Sequence, residues 1–511
     1  MQTKPAWSAL ALLLSVACGA CGDSIAVVAD ATPADSDSDS GEIINYTTGC
    51  TTGPAPSATP YAKQEDFGPT VNGTLDGWIP NGRWFMTGIT LGGRSSLFFA
   101  KNGGTLIVDR DAAAPGTIDA NVAFQRTAFD GNGVNFSISI RVSNRHPDGT
   151  LRLDRAVCDN GSCRVCVARL VRAAWLPGET EGSKIVKLGE YRDPMWEEPA
   201  FTYNVRVLGN YAYVVRDDGM YIIDVSDPTN PVKVGHWVNG YTNDVKLVVA
   251  GAKTFALIAD NPSKVVDVTN PAAPVTVAQI NESAHTVFTE NRDGKVYAYW
   301  GNYDATTPIY DVTNPAVPQL LGRFTTDGPF VHDMMVDNGI AYLNAWSAGM
   351  YRVDYTNPAA PVQVGRIIDT PTNTSHSSWT TVAGGRKIAL HGGEAAGARL
   401  SIIDVDPASP QYMKEIGGYQ TREVTSIHNV MAFGNRAYIA YYHDGVRVLD
   451  LSDPTNPVLI GYFNTWNADG PESSSGVFDS AVGIDVDLTK RLIYIADIPR
   501  GLIILQDQTP Q

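Results

Sequence analysis

The chain has 511 residues, and its 38 Lys and Arg against 54 Asp and Glu give a formal net charge of −16. This charge argues against nucleic acid as a partner, because phosphate neutralisation needs clustered positive charge. A hydrophobic content of 43% excludes disorder of the whole chain, and without an apolar run of 18 residues the chain is not a polytopic membrane protein. The 48 Gly and 31 Pro favour many short strands joined by turns.

The N-terminus has the pattern of an export signal. Residues 1–17 carry one Lys, then an apolar run and small residues, which predicts a secretory signal peptide. The sequence SVAC, which ends at Cys18, resembles the lipobox of bacterial lipoproteins, and this resemblance implies lipidation of Cys18, with Cys21 as the alternative acceptor. A plain signal peptide cut nearby is the other alternative. We therefore expect an exported protein, held by a lipid anchor on the outer membrane or the cell surface.

Residues 18–60 are predicted to form a solvated tether. Ala29–Glu42 is acidic and lacks apolar periodicity, and Thr47–Pro60 is rich in Thr, Gly and Pro. From residue 61 to residue 180 the pattern changes to alternating apolar and polar residues, interrupted by turn sequences such as NGG, DGNG and HPDG. This segment predicts a small antiparallel β barrel or sandwich.

This small module contains a predicted disulfide hairpin. Asn160 and Gly161 suit the centre of a type I′ turn, which sets Cys158 opposite Cys163 with about 4.5 Å between the Cα atoms. That separation is within the disulfide range, so we predict a Cys158–Cys163 bond, as export would allow. Cys50 and Cys166 then remain as a possible second pair. The alternative is a zinc site built on Cys163 and Cys166.

The rest of the chain is dominated by an internal repeat. Six related segments each carry an Asp followed by a proline-containing turn, and the Asp residues are spaced by 43 to 50 positions: Asp224, Asp267, Asp311, Asp354, Asp404 and Asp450. This period fits a four-stranded propeller blade. In each unit the Asp ends the third strand and is expected to bond the following backbone, while the prolines restrict the fourth strand to an outer edge. We therefore predict turn formation, and not acid catalysis, for these residues.

A seventh unit predicts how the ring closes. GIDVD, RLIYIAD and GLIILQ supply three strands up to Gln506, but too few residues follow for a fourth. Upstream of the first repeat, Lys184–Tyr191 has the pattern of a fourth strand. We therefore predict an all-β fold in which a seven-bladed β-propeller, residues 184–507, is closed by its N-terminal strand 184–191 and leaves no long sheet edge free.

The repeats, including YIIDVSDPTNPV and VRVLDLSDPTNPV, resemble the LVIVD-repeat family of exported bacterial and archaeal propellers. The resemblance implies the fold and export, and it carries no set of catalytic residues.

Four histidines occupy matching positions at the entry to the first strand of four blades: His285, His332, His376 and His428. His236, His391 and His443 are predicted on the same face. Converging imidazoles would suit a transition metal such as zinc, copper or iron. The alternative is a structural role, in which alternation along the strand points each imidazole at a neighbouring blade to bond its backbone. Four aromatic residues near the same face would bind a sugar or peptide or pack between blades: Trp300, Trp346, Tyr441 and Tyr442.

The sequence favours a binding or scaffold protein of the cell envelope, anchored to the membrane by lipid, with a protein or glycan as its partner and with no need to oligomerise. The alternative is a metal-dependent hydrolase or oxidoreductase of the periplasm or cell surface that uses the histidine-rich face. Because propellers support both kinds of function, the fold does not choose between them.

Overall fold

The computed structural model describes most of the chain, namely residues 49–69, 73–88, 96–109, 111–131, 134–196, 201–368, 372–470, 476 and 478–510. The predicted signal peptide (residues 1–17), Cys18, Cys21 and the tether up to residue 48 lie outside these residues. Within the described ranges, no helix combines the length and the apolar character that crossing a bilayer requires.

The N-terminal module, as far as it is described, is a closed eight-stranded antiparallel barrel. Strands β2 to β9 pair in chain order, β9 closes the sheet against β2, and β1 pairs with the first half of β9. The interior is filled by apolar side chains that include Trp84, Phe99 and Leu153. One short 3-10 helix, Gln64–Phe67, follows β1. The strands are β1 Gly49–Pro54, β2 Gly82–Thr87, β3 Ser96–Asn102, β4 Thr105–Val108, β5 Gly116–Ile118, β6 Val122–Gly131, β7 Val134–Arg145, β8 Leu151–Asp159 and β9 Ser162–Arg172.

Two disulfides stabilise the barrel. Cys158–Cys163 crosses the β8–β9 hairpin, which confirms the prediction, and Cys50–Cys166 links β1 to β9. Gly49–Pro54 was expected to be part of the tether, but the Cys50 disulfide and the backbone pairing with β9 make it a strand of this sheet. A zinc site on Cys163 and Cys166 is excluded because both thiols are oxidised. The disulfides indicate an oxidising, extracytoplasmic location.

In the described part of the chain, the remaining strands form a propeller of seven blades, as predicted. Neighbouring inner strands contact each other all the way round the channel. Each of the first six blades contains four consecutive strands: β12 Thr202–Leu208, β13 Tyr211–Arg216, β14 Gly219–Asp224 and β15 Val232–Val238 in blade 1; β16 Asp244–Ala250, β17 Lys253–Ala259, β18 Ser263–Asp267 and β19 Val275–Ile280 in blade 2; β20 Ala284–Arg292, β21 Lys295–Asn302, β22 Thr306–Asp311 and β23 Gln319–Thr325 in blade 3; β24 Asp333–Asp337, β25 Ile340–Asn344, β26 Met350–Asp354 and β27 Val362–Ile367 in blade 4; β28 Ser375–Ala383, β29 Arg386–Gly393, β30 Leu400–Asp404 and β31 Lys414–Tyr419 in blade 5; β32 Val430–Phe433, β33 Arg436–Ala440, β34 Val446–Asp450 and β35 Val458–Phe463 in blade 6.

Blade 7 combines the two ends of the propeller. It contains β36 Ala481–Asp487, β37 Leu492–Asp497 and β38 Gly501–Asp507, and its outer strand is β11, Ile185–Tyr191. The pairing of β11 with β38 is antiparallel and sets Ile185 opposite Asp507. This confirms the predicted closure. The short strand β10, Gly182–Ser183, adds to the outer edge of blade 6.

The repeated Asp residues form the predicted turns. In six blades the carboxylate at the end of the third strand accepts a hydrogen bond from the backbone N–H two residues later: Asp224, Asp267, Asp311, Asp354, Asp404 and Asp450. These bonds are Asx turns, and they fix the direction in which the chain enters the outer strand.

Outer-strand glycines bring neighbouring blades into register. A Cβ on Gly235 of blade 1 would meet the carbonyl oxygen of Pro271 in the turn of blade 2 at 1.9 Å. A Cβ on Gly322 would likewise meet the turn of the next blade, and across the closure a Cβ on Gly189 of blade 7 would lie 2.3 Å from the carbonyl oxygen of Pro228 in blade 1. A side chain at these positions would push the blades apart, so glycine is required for this close approach.

The barrel packs against the propeller through blades 6 and 7. Arg83 of β2 forms a fully buried ion pair with Asp479, at 2.9 Å, in the loop that enters blade 7. Phe85 packs edge-on against His443 in the turn after β33. Trp175, in the linker, donates to the carbonyl of Trp466. The barrel therefore contacts the end of the propeller at which the inner strands begin.

Candidate functional site

The candidate site lies where the seven inner strands begin. At this level β20 and β28 each contain a β-bulge that leaves His285 and His376 out of the strand pairing. His332 directly precedes β24, and His428 lies two residues before β32. Bulges and strand ends turn side chains away from ordinary alternation. The sequence alternative directed these imidazoles at neighbouring blades, and His285 and His428 do contact the backbone of the next blade.

The equivalent residues of the seven blades form a ring that we call the mouth layer: Tyr203, Asn243, His285, His332, His376, His428 and Val482. Its four imidazoles follow one another around the ring. The ring centroids of His285 and His332 are 3.8 Å apart, those of His332 and His376 are 4.1 Å apart, and those of His376 and His428 are 4.2 Å apart. The structure thus brings together all four histidines that the sequence had placed at matching positions.

Backbone contacts orient two of the imidazoles. His285 Nδ1 lies 2.8 Å from the carbonyl oxygen of His332, and His428 Nδ1 lies 2.6 Å from that of Val482. A carbonyl only accepts, so each Nδ1 carries the proton and each Nε2 keeps its lone pair. The structural role considered from the sequence is therefore present, and it leaves the ligating nitrogen available.

The other two imidazoles have unpaired nitrogens. His376 is 1% exposed, and neither of its ring nitrogens has a partner with good hydrogen-bond geometry, although the backbone carbonyl of His428 lies close enough to raise its pKa. His332 lacks a partner at Nδ1. The carbonyl of His428, beside the His376 ring, accepts from Ser377 Oγ. Unpaired buried polar atoms are rare in folded proteins and need an explanation.

A buried carboxylate faces the imidazoles. Glu394, in the loop after β29, has Oε2 3.5 Å from His332 Nε2 and 3.7 Å from His376 Nε2, while its Oε1 is 3.5 Å from His428 Nε2. The Tyr442 hydroxyl donates to Oε1 at 2.5 Å. The ligand atoms of His332, His376 and Glu394 all lie within 4.8 Å of one another, a spacing that would accommodate a metal ion.

Burial controls the charge of these groups. It lowers the pKa of His285 and of His428 to about 4 and holds the pKa values of His332 and His376 well below the usual range, with the neighbouring imidazoles adding to the effect on both. Burial also raises the pKa of Glu394 to about 7. The imidazoles are therefore neutral at neutral pH, which is the form that binds metals.

Aromatic side chains surround the mouth layer. Trp346 stacks on His332 at 5.1 Å, and Phe330 lies 5.4 Å from both rings. Tyr303 packs edge-on against His285 at 5.7 Å, and Tyr203 packs against Tyr241 at 4.9 Å. Together they form an aromatic rim around the opening.

One residue further along the strands, a second set of polar side chains lines the channel; we call it the inner layer, and it contains Asn204, Asp244, Thr286, Asp333 and Asn429. Asp244 accepts from Asn204 at 2.7 Å and from Thr286 at 2.8 Å, and it forms an ion pair with Lys246 at 2.7 Å. Asn429 donates across the channel to Asp333 at 3.2 Å. Burial and the charge of Asp244 raise the pKa of Asp333 to about 6.

The other histidines of the predicted face lie outside the cluster. His391 Nε2 lies 2.9 Å from Ser375 Oγ, His443 contacts the barrel, and His236 stacks on Tyr221. Of the aromatic residues considered from the sequence, three are buried by packing, and Trp346 alone keeps partial exposure: Trp300, Tyr441 and Tyr442 are the buried ones.

Sequence reasoning missed Glu394 and the tyrosines of the rim. The available indication was position: Glu394 follows the second strand of blade 5, so its loop opens on the same face as the four histidines. Tyr203 could have been found as the blade 1 equivalent of His285, since both lie at the start of an inner strand.

Two comparisons with known proteins found similarities in the propeller. The LVIVD repeat model matches residues 201–238, 239–282 and 426–465, which correspond to blades 1, 2 and 6. A search of curated proteins found no match. One similar solved structure is described as the crystal structure of the WD40 beta propeller domain of Doa1; it has 11% sequence identity and a TM-score of 0.46, and the match covers 63% of this chain and 96% of that chain. The chain thus contains LVIVD repeats and folds as a seven-bladed β-propeller.

Proposed function

We propose that this chain is an exported, lipid-anchored propeller protein that binds a divalent transition-metal ion at the mouth of its channel. The ligands are drawn from the four imidazoles of the mouth layer and Glu394. The observation that carries the proposal is the group of His332, His376 and Glu394, whose ligand atoms lie within 4.8 Å of one another. His376 is 1% exposed, and its Nε2 lies 3.7 Å from a carboxylate oxygen shared with His332.

The distances support coordination better than hydrogen bonding. Metal–nitrogen bonds of about 2.0–2.1 Å set neighbouring ligands of a tetrahedral ion about 3.4 Å apart. The three separations between Glu394 oxygens and imidazole Nε2 atoms are 3.5, 3.7 and 3.5 Å. They are too long for good hydrogen bonds and close to the edge of such a coordination sphere.

The donor types support zinc, copper, iron or nickel. Neutral imidazole suits these ions, whereas magnesium and calcium prefer sets of oxygen ligands. Contacts from outside the ligand set also favour the site: backbone carbonyls hold His285 and His428 at Nδ1, and Tyr442 holds Glu394. Such partners orient ligands in metal sites and raise their affinity.

The proposed location is the cell envelope, on the outer membrane or the cell surface. The two disulfides of the barrel support an oxidising compartment, and the sequence around Cys18 supports lipidation. Replacing Cys18 with Ala should move the protein from the membrane fraction to the soluble fraction, whereas Cys21→Ala should leave it bound. If both single variants stay with the membrane, Cys18 is not the anchor.

The experiment for the metal uses the mature, disulfide-bonded protein. Elemental analysis and calorimetric titration with Zn²⁺ should show one ion per chain. His376→Gln should weaken binding at least 100-fold, while His236→Gln, a histidine of the same blade face outside the cluster, should bind as the wild type does. Absence of stoichiometric metal, or equal affinity in His376→Gln, would contradict the proposal.

A metal ion at the mouth would suit either a structural or a catalytic role. A structural metal site is closed by four protein ligands, whereas a catalytic site keeps a position for substrate or water. Whether this ring is closed depends on the blades that lack histidine.

A further inference from the structure

Two outward-facing side chains of the barrel strand β2 are covered by the propeller. Neighbouring residues of a strand point to opposite faces, so Trp84 and Met86 fill the barrel interior, whereas Arg83 and Phe85 face outward. Arg83 and Phe85 are nevertheless only 1% and 2% exposed. Two propeller segments contact them, the entry to blade 7 and the turn 441–445 of blade 6, and each of these segments continues into the candidate metal site.

The first contact is an ion pair at the entry to blade 7. Arg83 Nη2 lies 2.9 Å from Asp479 Oδ2, and both side chains are fully buried. Three residues further along the chain, the carbonyl of Val482 lies 2.6 Å from His428 Nδ1. Arg83 therefore anchors the segment that orients one imidazole of the mouth layer.

The second contact is with the turn 441–445. Phe85 packs edge-on against His443, with the ring centroids 5.4 Å apart. Arg422 lies over the Phe85 ring at 4.7 Å and forms an ion pair with Asp444 at 2.5 Å. His443 and Asp444 are each 1% exposed, so the barrel and its neighbours bury this turn.

Tyr442, the residue before His443 in this turn, reaches the proposed metal ligands. Its hydroxyl donates to Glu394 Oε1 at 2.5 Å, and its ring packs against that of His428 at 4.9 Å. Its backbone exchanges two hydrogen bonds with Ala481, at 2.9 and 3.3 Å. The two segments that contact the barrel are therefore bonded to each other, and together they hold Glu394 and His428.

The equivalent turn of blade 4 differs in its cover. Trp346 exchanges the same pair of backbone hydrogen bonds with Ser375 of the next blade, and its ring stacks on that of His332. The residue after it, Ser347, is exposed, whereas its counterpart His443 is buried. Contact with the barrel thus distinguishes the turn that holds the carboxylate from its repeat in blade 4.

We propose that docking of the barrel regulates the metal affinity of the mouth layer, because β2 fixes the two segments that orient Glu394 and His428. Residues outside the ligand set hold ligands in place, and loss of such support lowers metal affinity. The effect is reciprocal: if docking strengthens metal binding by a given factor, the bound metal strengthens docking by the same factor. This inference rests on the proposed metal site.

The test measures the zinc affinity of the mature, disulfide-bonded protein by calorimetric titration. Phe85→Ala removes the contacts with His443 and Arg422 and should raise the zinc dissociation constant about tenfold. Phe85→Leu keeps most of the apolar volume and should recover most of the affinity. Phe67→Ala is the matched control: Phe67 packs on Tyr61 within the same barrel at 4.8 Å, so this variant should bind zinc as the wild type does.

A second measurement uses the wild type alone. Residues 173–175 join the barrel to the propeller, and there Arg422 donates to the carbonyl of Ala174 and Trp175 donates to the carbonyl of Trp466. Because the coupling is reciprocal, the backbone amides of this linker should exchange with deuterium up to about tenfold more slowly when zinc is bound.

The outcomes separate the two proposals. If the wild type binds no zinc, the proposed metal site is wrong. If the wild type binds zinc and Phe85→Ala binds it equally well, or if Phe67→Ala loses as much affinity as Phe85→Ala, the inference about the barrel is overturned. If Phe85→Ala does not fold, the exchange measurement decides, and exchange that zinc leaves unchanged overturns the inference.

Discussion

The mouth layer and the inner layer occupy adjacent residues of the same strands, yet their polar atoms are satisfied differently. In the inner layer Asp244 accepts from Asn204 and Thr286 and forms an ion pair with Lys246. In the mouth layer neither ring nitrogen of His376 has a partner with good hydrogen-bond geometry, although the residue is equally buried. The neighbours His376 and Ser377 thus differ: the ring nitrogens of His376 lack well-placed partners, whereas the Ser377 hydroxyl donates to the carbonyl of His428.

This difference separates a structural role from a functional one. Buried polar groups with complete partners add stability and specify one arrangement of the blades. Buried groups without partners cost free energy, and they persist where a ligand supplies the missing contact. The comparison predicts that substitutions in the inner layer act on folding and that substitutions in the mouth layer act on metal binding.

The largest effect is expected from Asp244→Asn. This change leaves the Lys246 ammonium buried without its counter-ion, so the free energy of unfolding should fall by about 3–5 kcal/mol in urea titrations of the metal-free protein. Asp227→Asn, in an exposed turn where Asn also accepts the capping bond, should stay within about 0.5 kcal/mol. Equal stability of the two variants would show that the inner layer is not structural.

The same variant should change the response to acid. Burial would raise the pKa of Asp244, but the charges of Lys246 and Arg206 and several hydrogen bonds outweigh it, so the pKa is lowered. A lowered pKa in the folded state contributes stability that is present above the unfolded value of about 3.9 and is lost as the pH falls below it. Unfolding measured from pH 7 to pH 3 should show this loss in the wild type and not in Asp244→Asn.

A smaller and conditional effect is expected from His376→Gln. Without metal, the free energy of unfolding should change by about 1 kcal/mol or less, because no hydrogen bond is removed. With Zn²⁺ at 100 times its dissociation constant, the wild type should gain about 2.7 kcal/mol and the variant should gain almost nothing. Thermal or urea unfolding with and without metal measures both. A variant that still gains the full increment would remove His376 from the ligand set.

The smallest effect is expected from Asn429→Ala. It removes one hydrogen bond to Asp333 across the channel and should cost about 1 kcal/mol of folding stability. Zinc affinity should stay within about threefold of the wild type, because His428 keeps its contact with the carbonyl of Val482. If zinc binding weakens as much as in His376→Gln, the two layers act as one unit and the comparison fails.

Much of the fold could be predicted because its determinants are local and repeated. The Asp residues that end the third strands form the expected Asx turns, and Lys184–Tyr191 carries the pattern of an outer strand before any partner is known. The type I′ turn at Asn160 and Gly161 fixed the Cys158–Cys163 pair through local geometry alone. The Cys50–Cys166 pair joins residues 116 positions apart, and it was reached only by elimination.

The site was predicted only in part, because the directions of its side chains depend on β-bulges and strand ends. Repeat alignment aligned His285 with His376, but the bulges that turn them into the channel leave no sequence pattern. Glu394 lies in the loop between β29 and β30 of blade 5, and the equivalent residue of blade 3 is Tyr303, so no repeated residue type marks the position. The three tyrosines of the aromatic rim, Tyr203, Tyr241 and Tyr303, come from loops and strand starts of different blades, and they become neighbours of the mouth layer only in the folded ring.

The seam at which β11 joins β38 has a consequence for how the ring opens. If β11 detached from β38, blade 7 would lose its outer strand. The ring would then open between blades 7 and 1, while blades 3 to 6 stayed together. The four imidazoles and Glu394 lie on blades 3 to 6, so a bound ion would strengthen the contacts among these blades, whereas the pairing of β11 with β38 keeps the ring closed.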